Sequence, residues 1–414
     1  MKSTDSSSDS IEKRQVTPLG LVEFVCLISL LSSLTAASID ALLPALLTMG
    51  EALKVANSNN LQLVITVFFA GMVFGELVFG PLSDALGRKA SILIGLIIYL
   101  IGALIAITGG SLEQVLIGRL IQGVGVSGPK VATRALIRDL YVGDEMARIM
   151  SFMFTVMILV PMVSPAVGQW VLFVSNWQGI FVVLMIMALC SACWLAIRQP
   201  ETLAVSDRIP IRVSSLLGNT RLILTNRLVI APTLAVGLVF GSFLLYLSTS
   251  QAVFFDVYDI DTRFPLYFAF LSIPLGMAAW LNSRLVVRIG AKKISQVALF
   301  VFVLLSAAFL FGSVMTSGRP PLPLFLAGCF GVFACIGFLF GNLNAIAMQP
   351  LGAMAGIGSS IVASLSSIVA IALAIPLGRF YDQTLLVLNV GFLLSSIIAL
   401  SLFLLCVKPS TPSA

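Results

Sequence analysis

Long apolar runs separated by short polar gaps govern the whole chain. A helix needs about 20 apolar residues to cross the hydrocarbon core of a bilayer. Runs of that kind occur at about 19–46, 61–83, 90–109, 112–137, 148–172, 177–197, 228–252, 264–286, 294–316, 321–345, 355–378 and 383–406. The pattern predicts an all-α polytopic membrane protein with twelve transmembrane helices, which puts both termini on one side. The longest gap divides the runs evenly. The expected organisation is a disordered cytoplasmic tail over 1–17, a six-helix bundle over 18–197, a cytoplasmic linker over 198–227, a second six-helix bundle over 228–407 and a short cytoplasmic tail over 408–414.

Composition agrees with the pattern. Of the 414 residues, 59% are hydrophobic and 10% charged, against roughly 45–50% and about 25% in soluble domains. A mean hydropathy of +1.08 excludes a soluble globular enzyme. It also excludes an outer-membrane barrel, whose alternating strands dilute the apolar signal. The net charge of +6 comes from 24 Lys and Arg against 18 Asp and Glu. Those charges fall in the short gaps, which argues against nucleic acid as a partner. Only Lys54, Arg263, Arg319 and Arg379 lie in gaps on one side, and Arg119 and Lys130 lie inside a run. All other basic residues fall on the side of the termini, so the positive-inside rule places both termini in the cytoplasm.

Histidine is absent, so proton chemistry near neutral pH falls to carboxylates, whose affinity for protons rises on desolvation. No metal centre is expected. Cys190-x-x-Cys193 has a metal or redox spacing, but no histidine or acid accompanies it.

Charges inside a membrane are costly and point to function. Asp40 and Arg119 sit at matching depths, roughly 10 Å below the outer surface, and form the first candidate pair. One reading is a coupled site, with Asp40 binding proton or substrate. The other is a static ion pair joining two helices. Glu76 and Lys130 lie at similar depths near the other face and could pair. Glu23 could snorkel to water. The second half carries no acid within the predicted runs. Its polar candidates for a cavity include Tyr246, Asn342 and Asn344, with Phe243 as an aromatic neighbour and Gln122 from the first half. A wall of aromatics and amides suits an amphipathic organic molecule better than a sugar.

Two further segments punctuate helices. Pro161 and Pro165, four residues apart and followed by Gly168, predict a bend with close approach of a neighbouring helix. Gly118, Gly123, Gly125 and Gly128 predict tight packing around Arg119. The gap Gly80-Pro-Leu-Ser-Asp84-Ala-Leu-Gly87-Arg88-Lys89 has a degenerate echo in Asn282-Ser-Arg284-Leu-Val-Val-Arg288-Ile-Gly290-Ala-Lys292-Lys293, about half the chain further on. Duplicated halves around a midplane site mark secondary transporters.

Together these segments resemble the major facilitator superfamily. Gly80 to Lys89 looks like its signature loop between helices two and three, Arg119-Leu-Ile-Gln122-Gly123-Val-Gly125 like its proton-transfer motif, and Pro165-Ala-Val-Gly168 like its drug-antiporter motif. Ile39-Asp40-Ala-Leu-Leu-Pro44, Arg134-Ala-Leu-Ile-Arg138-Asp139, Asn176-Trp177-Gln-Gly-Ile-Phe181, Asn344-Ala-Ile-Ala-Met348-Gln-Pro350 and Gly356-Ile-Gly-Ser-Ser360 narrow it to the bicyclomycin/chloramphenicol-resistance type of drug–proton antiporter. Ser164, Gln169, Gln178 and Glu76 depart from that pattern.

The resemblance implies two pseudo-symmetric bundles and export of amphipathic antimicrobials by alternating access from the bacterial cytoplasmic membrane. Asp40 and Arg119 would lie at the coupling centre, and Asp84 with Arg88 would form a latch between the halves. A proton gradient rather than a cofactor would supply the energy, and a monomer is expected. A proton symporter importing a small nutrient on the same fold remains the alternative. An ATP-driven pump is excluded by the lack of any G-x-x-x-x-G-K-[ST] segment.

Overall fold

The computed structural model describes residues 19–141, 143–209 and 225–406. The expected tails and the middle of the expected linker lie outside the described residues. The first apolar run is not one continuous helix. It forms α1 (Leu21–Asp40), a 3-10 turn at Leu43–Ala45 and the short α2 (Leu46–Ala52). Pro44 lies in that turn; it has no N–H to donate, so the α-helical ladder stops there. Asp40 is therefore the last residue of a helix that breaks within the membrane.

The first half continues with α3 (Leu63–Leu86), α4 (Arg88–Ile107), α5 (Leu112–Leu140), α6 (Gly143–Val174) and α7 (Trp177–Arg198). The second half holds α8 (Arg227–Tyr258), α9 (Phe264–Ile289), α10 (Ala291–Met315), α11 (Leu322–Met348), α12 (Ala355–Arg379) and α13 (Leu386–Cys406). No strand occurs among the described residues. By length and composition ten of these helical segments could cross a membrane. α5 is too polar to qualify alone, because Arg119, Lys130, Arg134, Arg138 and Asp139 lie along it. In α6 the apolar stretch is Leu159–Val174.

Helices of each half pack mainly on one another, and the halves meet where α3 touches α12 and α6 touches α9. Small residues set the closest approaches. A Cβ on Gly123 would collide with the Phe68 carbonyl of α3, and one on Gly125 with the Tyr99 backbone of α4. These contacts draw α5 into the centre of the first half, with its polar groups turned inward. Gly87 joins α3 to α4 and Gly290 joins α9 to α10, each as a single residue with positive φ (111° and 85°). Side chains adopt that conformation only with strain.

Candidate functional site

Arg119 has no solvent exposure, and neutral groups hold it. Its Nε donates to the Val64 carbonyl at 3.0 Å, Nη1 to Gln122 Oε1 at 3.1 Å and Nη2 to the Ser38 carbonyl at 3.0 Å. The guanidinium also lies 4.1 Å from the centre of the Phe68 ring, a cation–π contact. Ser38 Oγ is hydrogen-bonded to the Tyr99 hydroxyl at 2.7 Å. One cation thus ties together α1, α3 and α5, with α4 joined through Ser38.

Asp40 is only two residues from Ser38, yet it does not pair with Arg119. Successive side chains of a helix rotate by about 100°, so residues 38 and 40 face roughly opposite ways. The arginine takes the backbone of α1 and leaves the carboxylate alone. Asp40 is 4% exposed, and its carboxylate makes no hydrogen bond or ion pair with any described residue. The static ion pair, one of the two sequence readings, is not what this structure holds.

The second half supplies the other wall. Tyr246 lies on α8, which packs on the turn just after Asp40, and is 1% exposed. It stacks on Phe243 and Phe268, with ring centres at 6.3 and 6.1 Å, and meets Phe333 edge-on at 4.7 Å. Among the described residues its hydroxyl has no hydrogen-bond partner, and neither does Gln122 Nε2. Unpaired polar groups in an interior are rare. Here a phenol and an amide share that condition.

Asn342 and Asn344 do not join this group. Asn342 and Asn282 exchange reciprocal amide hydrogen bonds at 3.1 and 2.7 Å, which tie α9 to α11. Asn344 donates to the Phe340 carbonyl of its own helix. Phe333, which faces Tyr246, is nine residues before Asn342, about 13 Å along the helix axis. In this structure the two asparagines, expected to line a cavity, spend their amides on Asn282 and on the Phe340 carbonyl.

Glu76 forms a second, separate cluster. Lys130 Nζ meets Glu76 Oε1 at 2.5 Å, while Glu76 Oε2 is buried without a partner. Val64 and Glu76 are twelve residues apart on α3, so this pair lies about 18 Å from the Arg119 level. Glu23 keeps 29% of its side chain exposed and is also paired. It accepts from Arg198 at 2.8 and 2.9 Å and from Trp194 Nε1 at 3.2 Å.

The turn from Gly80 to Lys89 also departs from expectation. Arg88 donates to Asp84 at 2.6 Å, to Asp139 at 2.8 Å and to Ser83 at 3.2 Å. Lys89 donates to the Ala196 carbonyl at 2.7 Å. These charges are satisfied within the first half, so Asp84 and Arg88 do not bridge the two bundles in this structure. Between the halves at this end, Gly80 faces Ser360, and a Cβ there would crowd the Ser360 hydroxyl. Pro161 and Pro165 lie inside a continuous α6. Gly168 lies against Ala41, and a Cβ would strike the Ala41 carbonyl. That presses α6 onto the break just after Asp40.

Sequence reasoning missed the seam at the opposite end. Asn59 donates to the carbonyls of Arg379 and Tyr381 at 3.2 and 2.9 Å, and Gln251 to that of Pro44 at 3.4 Å. The Tyr381 hydroxyl donates to Asp256 at 3.2 Å. Burial first, and then the Asp256 charge, hold the Tyr381 phenol above the ordinary tyrosine range, so it stays a donor. The second half was expected to hold no acid within its spans. Asp256 enters because α8 runs on to Tyr258. A cavity of about 40 Å³ at this seam is lined by residues of both halves, including Asn59, Gln62, Ser248 and Asp256.

A family model described as the Major Facilitator Superfamily matches residues 26–374. Among curated proteins, the chain is similar to the bicyclomycin resistance protein homolog of Haemophilus influenzae, at 28% identity over 342 residues, 82% of this chain and 85% of the relative. It is also similar to the chloramphenicol resistance protein of Pseudomonas aeruginosa, at 26% identity over 347 residues, 81% and 77% of the two chains. Among solved structures, a D-xylose-proton symporter superposes with a TM-score of 0.72 at 12% identity, over 91% of this chain and 97% of its own. That likeness concerns the fold alone.

Proposed function

Because the chain belongs to the Major Facilitator Superfamily and is a multi-pass membrane transporter, we propose that it exports small amphipathic organic molecules in exchange for protons. The observation that carries this reading is the Asp40 carboxylate, buried at the end of α1 without a partner among the described residues. An isolated carboxylate in an apolar interior is stable only when something neutralises it. A proton and a substrate bearing a donor or a cation would compete for it, and each would release the other. Arg119 cannot play that part from Asp40's side, because its hydrogen bonds go to Val64, Ser38 and Gln122.

The aromatic wall of Tyr246, Phe243 and Phe333 supports an amphipathic substrate, and the names of the relatives support compounds like phenicols and bicyclomycin. The membrane is the bacterial cytoplasmic membrane, with both termini inside by the distribution of Lys and Arg. The protein works as a monomer in two bundles, with Glu76 as a second proton station. No cofactor enters. Each inward proton gains about 2.3 kcal/mol per 100 mV of membrane potential.

Everted vesicles energised to an acid lumen, with a fluorescent pH probe, test the proposal. Adding phenicols, bicyclic and cationic drugs should collapse the gradient for some compound, and Asp40→Asn should abolish that response. A complete lack of response, with the protein confirmed in the membrane, would overturn export and favour nutrient import.

A further inference from the structure

The turns at Gly87 and Gly290 are internal counterparts, and they differ in what sits on them. At the first, the N-terminus of α4 is occupied by an anion from the same chain. Glu201 accepts from the Arg88 amide at 2.7 Å and from the Ala90 amide at 3.3 Å. Its carboxylate fills the place a Cβ on Gly87 would take. The basic side chains there are spent on Asp84, Asp139 and the Ala196 carbonyl.

At the second turn every one of those partners is missing among the described residues. A Cβ on Gly290 would meet nothing within 4 Å, and α10 begins with no side-chain cap and no acid in its first turn. Arg284, Arg288, Lys292 and Lys293 are all exposed and make no ion pair with a described residue. No Asp or Glu occurs anywhere between Arg263 and Tyr381. Four exposed cations without a described counter-ion, gathered at a helix start, favour an anion there.

The surroundings identify the anion's source. Trp280, Arg284 and Arg288 follow one another at i, i+4 and i+8 on α9, and the Arg284 guanidinium lies 4.1 Å from the Trp280 ring centre. Met277 (58%), Trp280 (57%) and Val287 (86%) are exposed apolar surface on the same stretch. In a membrane protein that surface faces acyl chains, and a tryptophan followed by basic residues marks the headgroup level.

We propose that the start of α10, with Arg284, Arg288, Lys292 and Lys293, binds the phosphate of an anionic phospholipid, which takes the place Glu201 takes in the first half. The lipid's chains lie along Met277 and Trp280. The site is independent of the transport reading.

Native mass spectrometry of the full chain, with equal amounts of dioleoylphosphatidylglycerol and dioleoylphosphatidylcholine, tests it. The wild-type protein should retain the glycerol lipid preferentially. The combined variant R284Q/R288Q/K292Q/K293Q should retain it at least about tenfold less, since each basic residue near an anionic surface contributes about 1 kcal/mol. Equal retention of both lipids by the wild type, or unchanged retention by the variant, would overturn the site. A second measurement uses the unaltered cluster. Brominated phosphatidylglycerol should quench tryptophan fluorescence more than brominated phosphatidylcholine, and W280F should remove the excess. Excess quenching that survives in W280F contradicts the placement. Lipid binding that appears only in D5N/D9N/E12Q would assign the surface to the chain's own acidic tail and overturn the lipid as its occupant.

Discussion

Arg119 and Asp40 are both buried ionisable groups at one depth of the first half, and their surroundings are opposite. Arg119 is held by two carbonyls, an amide and an aromatic face. Asp40 is held by nothing described and ends α1 just before the turn on which α8 packs. Neutral dipoles that are fixed in place stabilise a permanent charge without cancelling it. A bare carboxylate at a broken helix end has no such anchor, so its charge depends on what arrives. The contrast separates a fixed cation, which organises four helices, from an acid free to exchange partners.

The largest expected effect comes from removing the exchanging group. Asp40→Asn should bring coupled transport to background while thermal unfolding in detergent stays near wild type, since no native partner is lost. Arg119→Ala should do the reverse to stability. It strands two buried carbonyls and the Gln122 amide oxygen, each costing about 1–3 kcal/mol, so its melting temperature should fall furthest of the variants named here. Arg119→Lys should recover only part, because an ammonium lacks the guanidinium fork.

Next in size is Gly168→Val, which forces a side chain against the Ala41 carbonyl. Overpacking of this kind costs about 1–3 kcal/mol. Val167→Ala, at an exposed neighbour, should be close to neutral in the same melting assay. Glu76→Gln should cost about 1–3 kcal/mol, since Glu76 keeps only 3% of its side chain exposed and its loss leaves the Lys130 ammonium without a counter-ion. Substrate binding and its proton release should persist in this variant, with slower substrate-driven proton flux in vesicles, as expected of a station that passes on the Asp40 proton.

The smallest effect is expected at the seam. Asn59→Ala removes two hydrogen bonds between the halves, a shift of about 1 kcal/mol or about fivefold in population. A cysteine placed at Ser248, in the cavity at that seam, should then react about fivefold faster with a water-soluble maleimide.

Helix positions were legible because the apolar runs are long and the turns carry glycine and charge. Arg119 and the glycines around it could be singled out for the same reason, as costly or small residues in an apolar run. Partners were not legible, because each depends on which helices meet. Nothing local says that Arg119 takes the Ser38 carbonyl rather than Asp40, or that Asn342 is consumed by Asn282. The break after Asp40 had a local signal in Pro44. Asp256 was missed because α8 continues as a helix beyond its apolar run, and Asn59 because its acceptors lie more than three hundred residues away.

The most direct test of the central claim is proton release on substrate binding by the purified protein in weakly buffered detergent. A compound that quenches tryptophan fluorescence is added, and a pH dye is read. The account predicts about one proton released per bound substrate by the wild type and none by Asp40→Asn, which is the exchange expected of a single shared carboxylate. Undiminished release from Asp40→Asn, or substrate binding to the wild type with no release, would contradict it.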